Sequence, residues 1–230
     1  MSDYIMKAQD IVKIYPSKSG EDFYALNHVD IEIKPRTLTI LRGRSGSGKT
    51  TLLNILSALD QPSSGHVFYE NVEITGRSET IREEFRRTTI GYVFQAVALI
   101  PVMNAYENVE FALRLAGQKA PYEERVKECL RKVGLMDRMY HMPSELSGGE
   151  QQRVAIARAL VHHPKIIFAD EPTAELDTQT ALQVVKVFKE IIEKENISII
   201  MTTHDSGLFE IGDYCYEMED GQIVGKYDTM

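Results

Sequence analysis

Tryptophan is absent from these 230 residues, cysteine occurs twice, and basic residues are in deficit. Cys129 and Cys215 stand far apart and make no metal-ligand spacing. Both read as ordinary buried or half-buried thiols, with no disulfide expected. Lysine and arginine number 26 against 34 aspartates and glutamates, a net charge of −8. Sequence-independent nucleic-acid binding relies on a basic face, so no nucleic-acid partner is expected. Nucleotide binding stays open, because a phosphate pocket is local. No stretch approaches the roughly 20 apolar residues of a membrane span. Residues 1–10 carry Asp3 and Asp10 and lack the apolar run of a signal peptide. The expectation is a soluble chain that needs another chain as anchor if it works at a membrane.

What is present reads as α/β. Hydrophobic residues make up 43 %, enough to bury a core. The first forty residues read as strands: 30–34 alternate at period two, Pro35-Arg36 turns, and 37–41 form a buried strand running into a glycine-rich loop. Leu52, Leu53, Leu56 and Leu59 then repeat at helical spacing until Pro62 and Gly65. Residues 66–95 read as short strands around a polar loop, ending in a strand at 91–94. The pattern from 103 to 161 is helical, with an apolar stripe at Val126, Leu130 and Val133 and a C-cap at Gly134. Strands at 166–169 and 197–202 flank a helix at 178–194. The tail, 214–218 and 221–227, reads as a hairpin around Asp220-Gly221. Alternating strands and helices predict a largely parallel sheet, with the helical middle as an insertion.

Residues 43–50 read G-R-S-G-S-G-K-T, which fits G-x-x-x-x-G-K-[ST]. Glycine at 43, 46 and 48 lets the backbone turn its N–H groups toward one anion. A helix starting near Lys49 adds unpaired amides and its positive dipole end. Arg44, Ser45, Ser47 and Thr51 complete the candidate cradle. Lys49 suits the β- and γ-phosphates, and the Thr50 hydroxyl suits Mg²⁺. A glycine-rich turn before a helix can be purely structural, but the preceding buried strand and following amphipathic helix are the context this motif requires.

Residues 166–171 read I-I-F-A-D-E, an apolar strand ending in two acids. Two solvated acids at a strand end are common. After a phosphate loop, Asp170 becomes a candidate metal holder and Glu171 a candidate general base for an attacking water.

Residues 146–153 read L-S-G-G-E-Q-Q-R. Ser147 and Glu150 make an S-x-x-E capping box opening a helix at 151–161. A capping box does not need two glycines. Gly148 and Gly149 strip the helix start of side chains, so a large anion could sit on its amides.

This segment resembles the signature of ABC-type ATPases. The resemblance covers about residues 5–225, with motifs in the family's order: 43–50, Gln95, 146–150, Asp170-Glu171, 174–177 and His204. It implies a P-loop NTPase core with an N-terminal antiparallel β subdomain and an inserted α-helical subdomain. On that reading residues 1–230 are one nucleotide-binding domain, with 1–95 and 162–230 as core and 96–161 as the helical part. It also implies ATP with Mg²⁺, and a homodimer holding each ATP between one chain's P-loop and the other's Ser147, Gly148, Gly149 and Glu150. Gln95 would touch metal and water, Asp177 would cross the dimer interface, and His204 would contact the γ-phosphate. Tyr15 resembles the adenine-stacking aromatic, with Phe23 and Tyr24 as rivals.

Within the family the chain is most similar to the branch that exports macrolides and antimicrobial peptides or releases lipoproteins. The likeness rests on S-G-S-G-K-T-T-L-L-N, Leu59-Asp60, the P-x-x-x-A-Y-E-N-V of 101–109, and M-P-S-E-L-S-G-G-E. Arg36, Ala174, Glu175 and the 96–98 segment depart from the usual pattern. The implied function is the ATP-hydrolysing subunit that drives a separate membrane permease, placing the chain on the cytoplasmic face of the membrane. An importer ATPase is the alternative. A soluble ABC ATPase acting on DNA would insert a long coiled coil before the signature, and 51–145 carries no sustained heptads.

Overall fold

The computed structural model describes residues 3–16, 20 and 22–229, Ser206 by its backbone only. The chain begins with β1 (Met6–Tyr15), β2 (Phe23–Ile33), β3 (Leu38–Gly43) and α1 (Lys49–Leu56). Next come β4 (Ser64–Tyr69), β5 (Val72–Glu73), α2 (Glu79–Thr89) and β6 (Ile90–Val93). The middle holds α3 (Ala105–Leu115), α4 (Glu123–Lys132) and α5 (Gly148–Leu160). The last part holds β7 (Ile166–Ala169), α6 (Thr178–Glu195), β8 (Ser198–Thr203), β9 (Tyr214–Glu219) and β10 (Gln222–Asp228). Among the described residues no helix is long and apolar enough to cross a membrane.

The chain divides into two compact units, Met1–Arg86 with Ile200–Met230, and Arg87–Ile199. In the first, an antiparallel sheet has the order β2-β1-β4-β5. β1 pairs with β2 through several register shifts, as the left-handed backbone at Asp10 and His28 requires. In the same unit β3 runs parallel to β9, and β10 closes an antiparallel hairpin on β9. The hairpin turn at Asp220-Gly221 has φ of 44° and 76°, so both positions are left-handed.

In the second unit β6 and β7 are parallel, and Ile166, Ile167, Phe168 and Ala169 are fully buried. Parallel strands rich in apolar residues on both faces are the mark of an α/β core, so the expected class holds. Two of the three long helices of the middle, α3 and α5, start on reciprocal capping boxes. Asn104 opens α3 with a reciprocal capping box to Glu107. Buried Asn108 accepts from the Ile100 amide at 2.8 Å and donates to the Ile100, Met103 and Asn104 carbonyls, tying the preceding loop to α3. Gly134, at φ 71°, ends α4 as expected. Arg125 donates to the Leu160 and Val161 carbonyls, placing a cation on the C-terminal end of α5.

Two local expectations fail. The polar stretch within 66–95 contains a helix, α2, rather than a loop alone. Of its side chains only Arg82 is buried. Ion pairs to Glu79 from Arg82 and Arg86, and donation by both arginines to the Ala58 carbonyl, hold it in place of an apolar stripe. Leu59 does not continue α1, because Ala58 turns left-handed at φ 59° and Leu59 is left 44 % exposed.

Gly91 in β6 has no room for a side chain. A β-carbon there would lie 2.3 Å from the Ala159 carbonyl oxygen and 2.9 Å from Ile167 Cγ1. Gly91→Ala should therefore destabilise the protein by about 2 kcal/mol, the scale of overpacking. Urea unfolding at constant m-value checks this, and an unchanged midpoint would refute it.

Candidate functional site

In the first unit the residues 43–50 form a loop between buried β3 and α1. Gly43 and Gly48 are required by close approach. A β-carbon on Gly43 would meet the Met218 carbonyl oxygen at 2.4 Å and Ser47 Oγ at 2.5 Å. On Gly48 it would meet the Ala25 carbonyl oxygen at 2.5 Å, and Gly48 is also left-handed at φ 99°. The loop is braced from outside: the Gly221 amide donates to the Ser47 carbonyl at 3.1 Å, and the Asn27 amide donates to the Gly221 carbonyl at 2.9 Å. The hairpin turn thus supports the loop, a role that no local sequence signal announces.

The donors in this loop suit a polyphosphate. Lys49 is 4 % exposed, and its Nζ donates to the Gly43 and Arg44 carbonyls at 2.9 and 3.1 Å. Buried Ser47 Oγ has no hydrogen-bond partner among the described residues. α1 starts without a side-chain cap and without an acid in its first turn, so its N-terminal amides and dipole are offered to an anion. Arg44, Ser45, Gly46 and Thr50 are exposed, and Thr51 is half-buried. Tyr15, the last residue of β1, pairs in register with Phe23. All three aromatic candidates are exposed, Tyr15 least at 42 % against 59 % for Phe23 and 53 % for Tyr24. His204 follows β8 and is exposed.

The second unit holds the other candidates. The Asp170 amide donates to the Val93 carbonyl at 2.9 Å. Asp170 and Gln95 therefore leave the ends of the neighbouring strands β7 and β6. Asp170 is buried and Gln95 exposed. Glu171 has φ of 42°, a left-handed backbone that a non-glycine residue adopts at a cost. Such strain held at a strand exit, one residue past a buried acid, is a mark of functional sites. Arg158, from α5, donates to the Ala98 and Val97 carbonyls at 2.6 and 3.1 Å and ties the turn after Gln95 to that helix.

The starts of α5 and α6 share one hollow of about 320 Å³. Ser147 caps α5: its Oγ accepts from the Glu150 amide at 3.3 Å, and Glu150 Oε2 accepts from the Ser147 amide at 2.8 Å. The expected capping box is present, although α5 begins at Gly148 rather than at 151. By helix geometry the amides of Gly148 and Gly149 have no partner within α5. Asp177 caps α6: Oδ1 accepts from the Gln179 and Thr180 amides, and Oδ2 from the Thr180 hydroxyl at 2.6 Å. The Thr180 hydroxyl and amide hold the Asp177 carboxyl below the usual carboxylate range. The Ser147 amide does the same for Glu150 against the opposing effect of burial. Arg153, Glu175, Leu176 and Gln183 complete the hollow. None was a candidate from sequence, though Arg153 lies one turn on from Gly149 and Glu150, a spacing that shares a helix face.

Residues 26–174, more than half of the chain, match the family model described as ABC transporter. The lipoprotein-releasing system ATP-binding protein LolD 2 of Rhodopirellula baltica is 38 % identical over 228 residues, covering 96 % of this chain and 89 % of that protein. The macrolide export ATP-binding/permease protein MacB of Syntrophobacter fumaroxidans is 40 % identical over 223 residues, 95 % of this chain and 31 % of that longer protein. A solved dimer of the ATP-binding cassette MJ0796 in a post-hydrolysis state, bound to ADP and Pi, superposes with a TM-score of 0.89 at 36 % identity. The match covers 98 % of this chain and 99 % of that one.

The two signature glycines differ in what they face. A β-carbon on Gly149 would lie 2.4 Å from Thr180 Cγ2, whereas on Gly148 the nearest atom is Leu176 Cδ2 at 3.9 Å. Gly149→Ala should cost about 1–3 kcal/mol of stability, and Gly148→Ala should be neutral or slightly favourable, as alanine is in a helix. Thr180→Ser removes the offending methyl and keeps the hydroxyl on Asp177, so Gly149→Ala with Thr180→Ser should recover most of the loss. Thermal unfolding of the four chains tests this; equal effects at 148 and 149 would refute the packing argument.

Proposed function

The chain belongs to the ABC transporter family as an ATP-binding, ATP-hydrolysing subunit, and from that membership we propose that it works as a homodimer driving a separate membrane permease. Residues 1–230 act as one nucleotide-binding domain whose helical part, 96–161, carries the signature. The cargo class is amphiphilic: a lipoprotein, macrolide or antimicrobial peptide. What supports the branch is the function that the relatives' names carry, lipoprotein release for one and macrolide export for the other. The subunit would sit on the inner face of the membrane, held there by the permease.

The roles divide by chemistry. The amides of the 43–50 loop and the Lys49 ammonium bind the phosphates, with Arg44, Ser45, Gly46, Ser47 and Thr51 completing the cradle. Tyr15 stacks on the adenine. Thr50 of the first unit and Gln95 and Asp170 of the second are the residues that would hold Mg²⁺, which would neutralise charge on the phosphate oxygens. Glu171 takes the proton of the attacking water, and His204 steadies the terminal phosphate. Ser147, Gly148, Gly149 and Glu150 serve the partner's nucleotide, and Asp177 meets the partner chain. The observation that carries the dimer is the hollow of the second unit. There an α5 start with two glycines has open space at Gly148, beside the capped start of α6. A second chain bringing its own ATP gives a two-fold, isologous pair.

Glu171→Gln keeps the shape but cannot accept a proton. Hydrolysis should fall by about 10²-fold or more, while calorimetric binding of Mg-ATP persists. Turnover near the wild-type rate would remove Glu171 as the base. Lys49→Ala should weaken ATP binding and turnover together; unchanged affinity would sink the cradle assignment.

In the Glu171→Gln chain, Mg-ATP should drive monomer to dimer in light scattering, and ADP should not. Adding Gly148→Asp should abolish the dimer by placing a negative charge at the anion site. It should spare ATP binding to the monomer, since Gly148 has room for a side chain. Loss of monomer binding would mean that the signature acts within its own chain.

A further inference from the structure

α1 carries the phosphate loop at its start, and the segment that leaves its far end holds the last residues of β1. Leu59 and Asp60 both donate their amides to the Asn54 carbonyl, at 2.8 and 3.0 Å, so Asp60 is hooked onto the helix. From there five polar contacts reach β1. The Ser63 amide donates to the Val12 carbonyl at 2.7 Å, and the Ile14 amide donates to Ser63 Oγ at 3.0 Å. Lys13 Nζ donates to the Gln61 carbonyl at 2.7 Å and lies 2.8 Å from Asp60 Oδ2. The Tyr15 hydroxyl donates to the same Asp60 oxygen at 3.4 Å.

The Lys13 ammonium also sits 5.1 Å from the centre of the Tyr15 ring, within cation–π range. Lys13 is mostly covered, its side chain 14 % exposed. A ring held at its hydroxyl by a carboxylate, with a cation on one face, has lost most of its freedom to turn. Burial pushes the Asp60 carboxyl up, but the Lys13 ammonium, the Gln61 amide and the Tyr15 hydroxyl outweigh it and keep the group below its ordinary range. The anchor is therefore ionised at neutral pH.

We propose that Asp60 and Lys13 are positioning residues for the nucleotide base, fixing the Tyr15 ring at a set station from the helix whose other end receives the phosphates. α1 acts as a ruler about 12 Å long, at 1.5 Å per residue. Its start is set by the phosphate loop and its end by Asp60. The base meets a stacking face that has already paid its ordering entropy before ligand arrives. Neither side chain touches the nucleotide; both act through Tyr15. The inference rests on the stacking role proposed for Tyr15.

The test compares two probes by calorimetry on the full chain, Mg-ATP and magnesium tripolyphosphate, the second having phosphates but no base. Asp60→Asn and Lys13→Met should each weaken Mg-ATP by about 3- to 10-fold, a share of one base-stacking contact. Both should leave tripolyphosphate affinity unchanged. Tyr15→Leu should weaken Mg-ATP at least as much, and Asp60→Asn added to it should weaken Mg-ATP no further. Steady-state kinetics should show KM rising with kcat nearly constant. Equal weakening of both probes would mean that the substitutions distort α1, and would overturn the proposal. So would full additivity of Asp60→Asn with Tyr15→Leu. If Tyr15→Leu weakens Mg-ATP while Asp60→Asn and Lys13→Met do not, the positioning role falls and the stacking role survives. If Tyr15→Leu leaves Mg-ATP binding unchanged, the stacking role itself falls. Should Asp60→Asn fail to fold, Lys13→Met carries the same comparison.

Discussion

The seating of the phosphate loop against two backbone carbonyls, Met218 at Gly43 and Ala25 at Gly48, is the constraint from which the first unit is organised. Because those contacts leave no room for a β-carbon, the loop can sit deep enough for Lys49 to pass beneath it and donate to its carbonyls. The same seating fixes where α1 begins. The helix in turn fixes where the chain leaves it, at Ala58, whose carbonyl two arginines of α2 hold. The strand end bearing Tyr15 is tied to the segment just beyond. Phosphate loop, helix and aromatic are one mechanical series in which each part is located by the one before it.

The second unit uses glycine differently. Gly149 is needed because a threonine methyl of α6 lies against it, and Gly148 is needed for no packing reason at all. A glycine with room around it, at the mouth of a helix, signals access rather than close packing. That contrast between adjacent residues separates the structural part of the signature from the part free to meet a ligand. The capping box and the proposed anion site are therefore compatible readings of the segment. The box consumes the amides of Ser147 and Glu150 and leaves those of the two glycines.

Much of this was legible in the sequence, and the failures have physical causes. The phosphate loop, the capping box, the Asp220-Gly221 hairpin and the buried strands could be read because each is specified by neighbours a few residues apart. α2 could not, since its sequence is mostly polar and two of its arginines hold it by reaching a carbonyl more than twenty positions away. Leu59 misled because helical spacing continues past the point where Ala58 turns left-handed. Arg36, which stands where the family's usual pattern has glycine, has φ 59°, in the left-handed region that favours glycine. The hollow at α5 and α6, and the support of the loop by Gly221, are tertiary facts, and no window of sequence contains both halves of either.

Arg158 gives α5 a second attachment with consequences for energy flow. The helix bears Gly148 and Gly149 at one end, and near the other it grips the carbonyls of Val97 and Ala98, just past Gln95. The thirteen-residue hydrogen-bonded helix that carries both does not stretch. A rod with a recognition element at one tip and a handle near the other obeys reciprocity. On the proposed reading, a ligand met at the Gln95 turn that changes the affinity of the glycine tip must have its own affinity changed by the same factor when the tip is filled. The Gln95 turn and the glycine tip are, in that sense, two ends of a single balance beam.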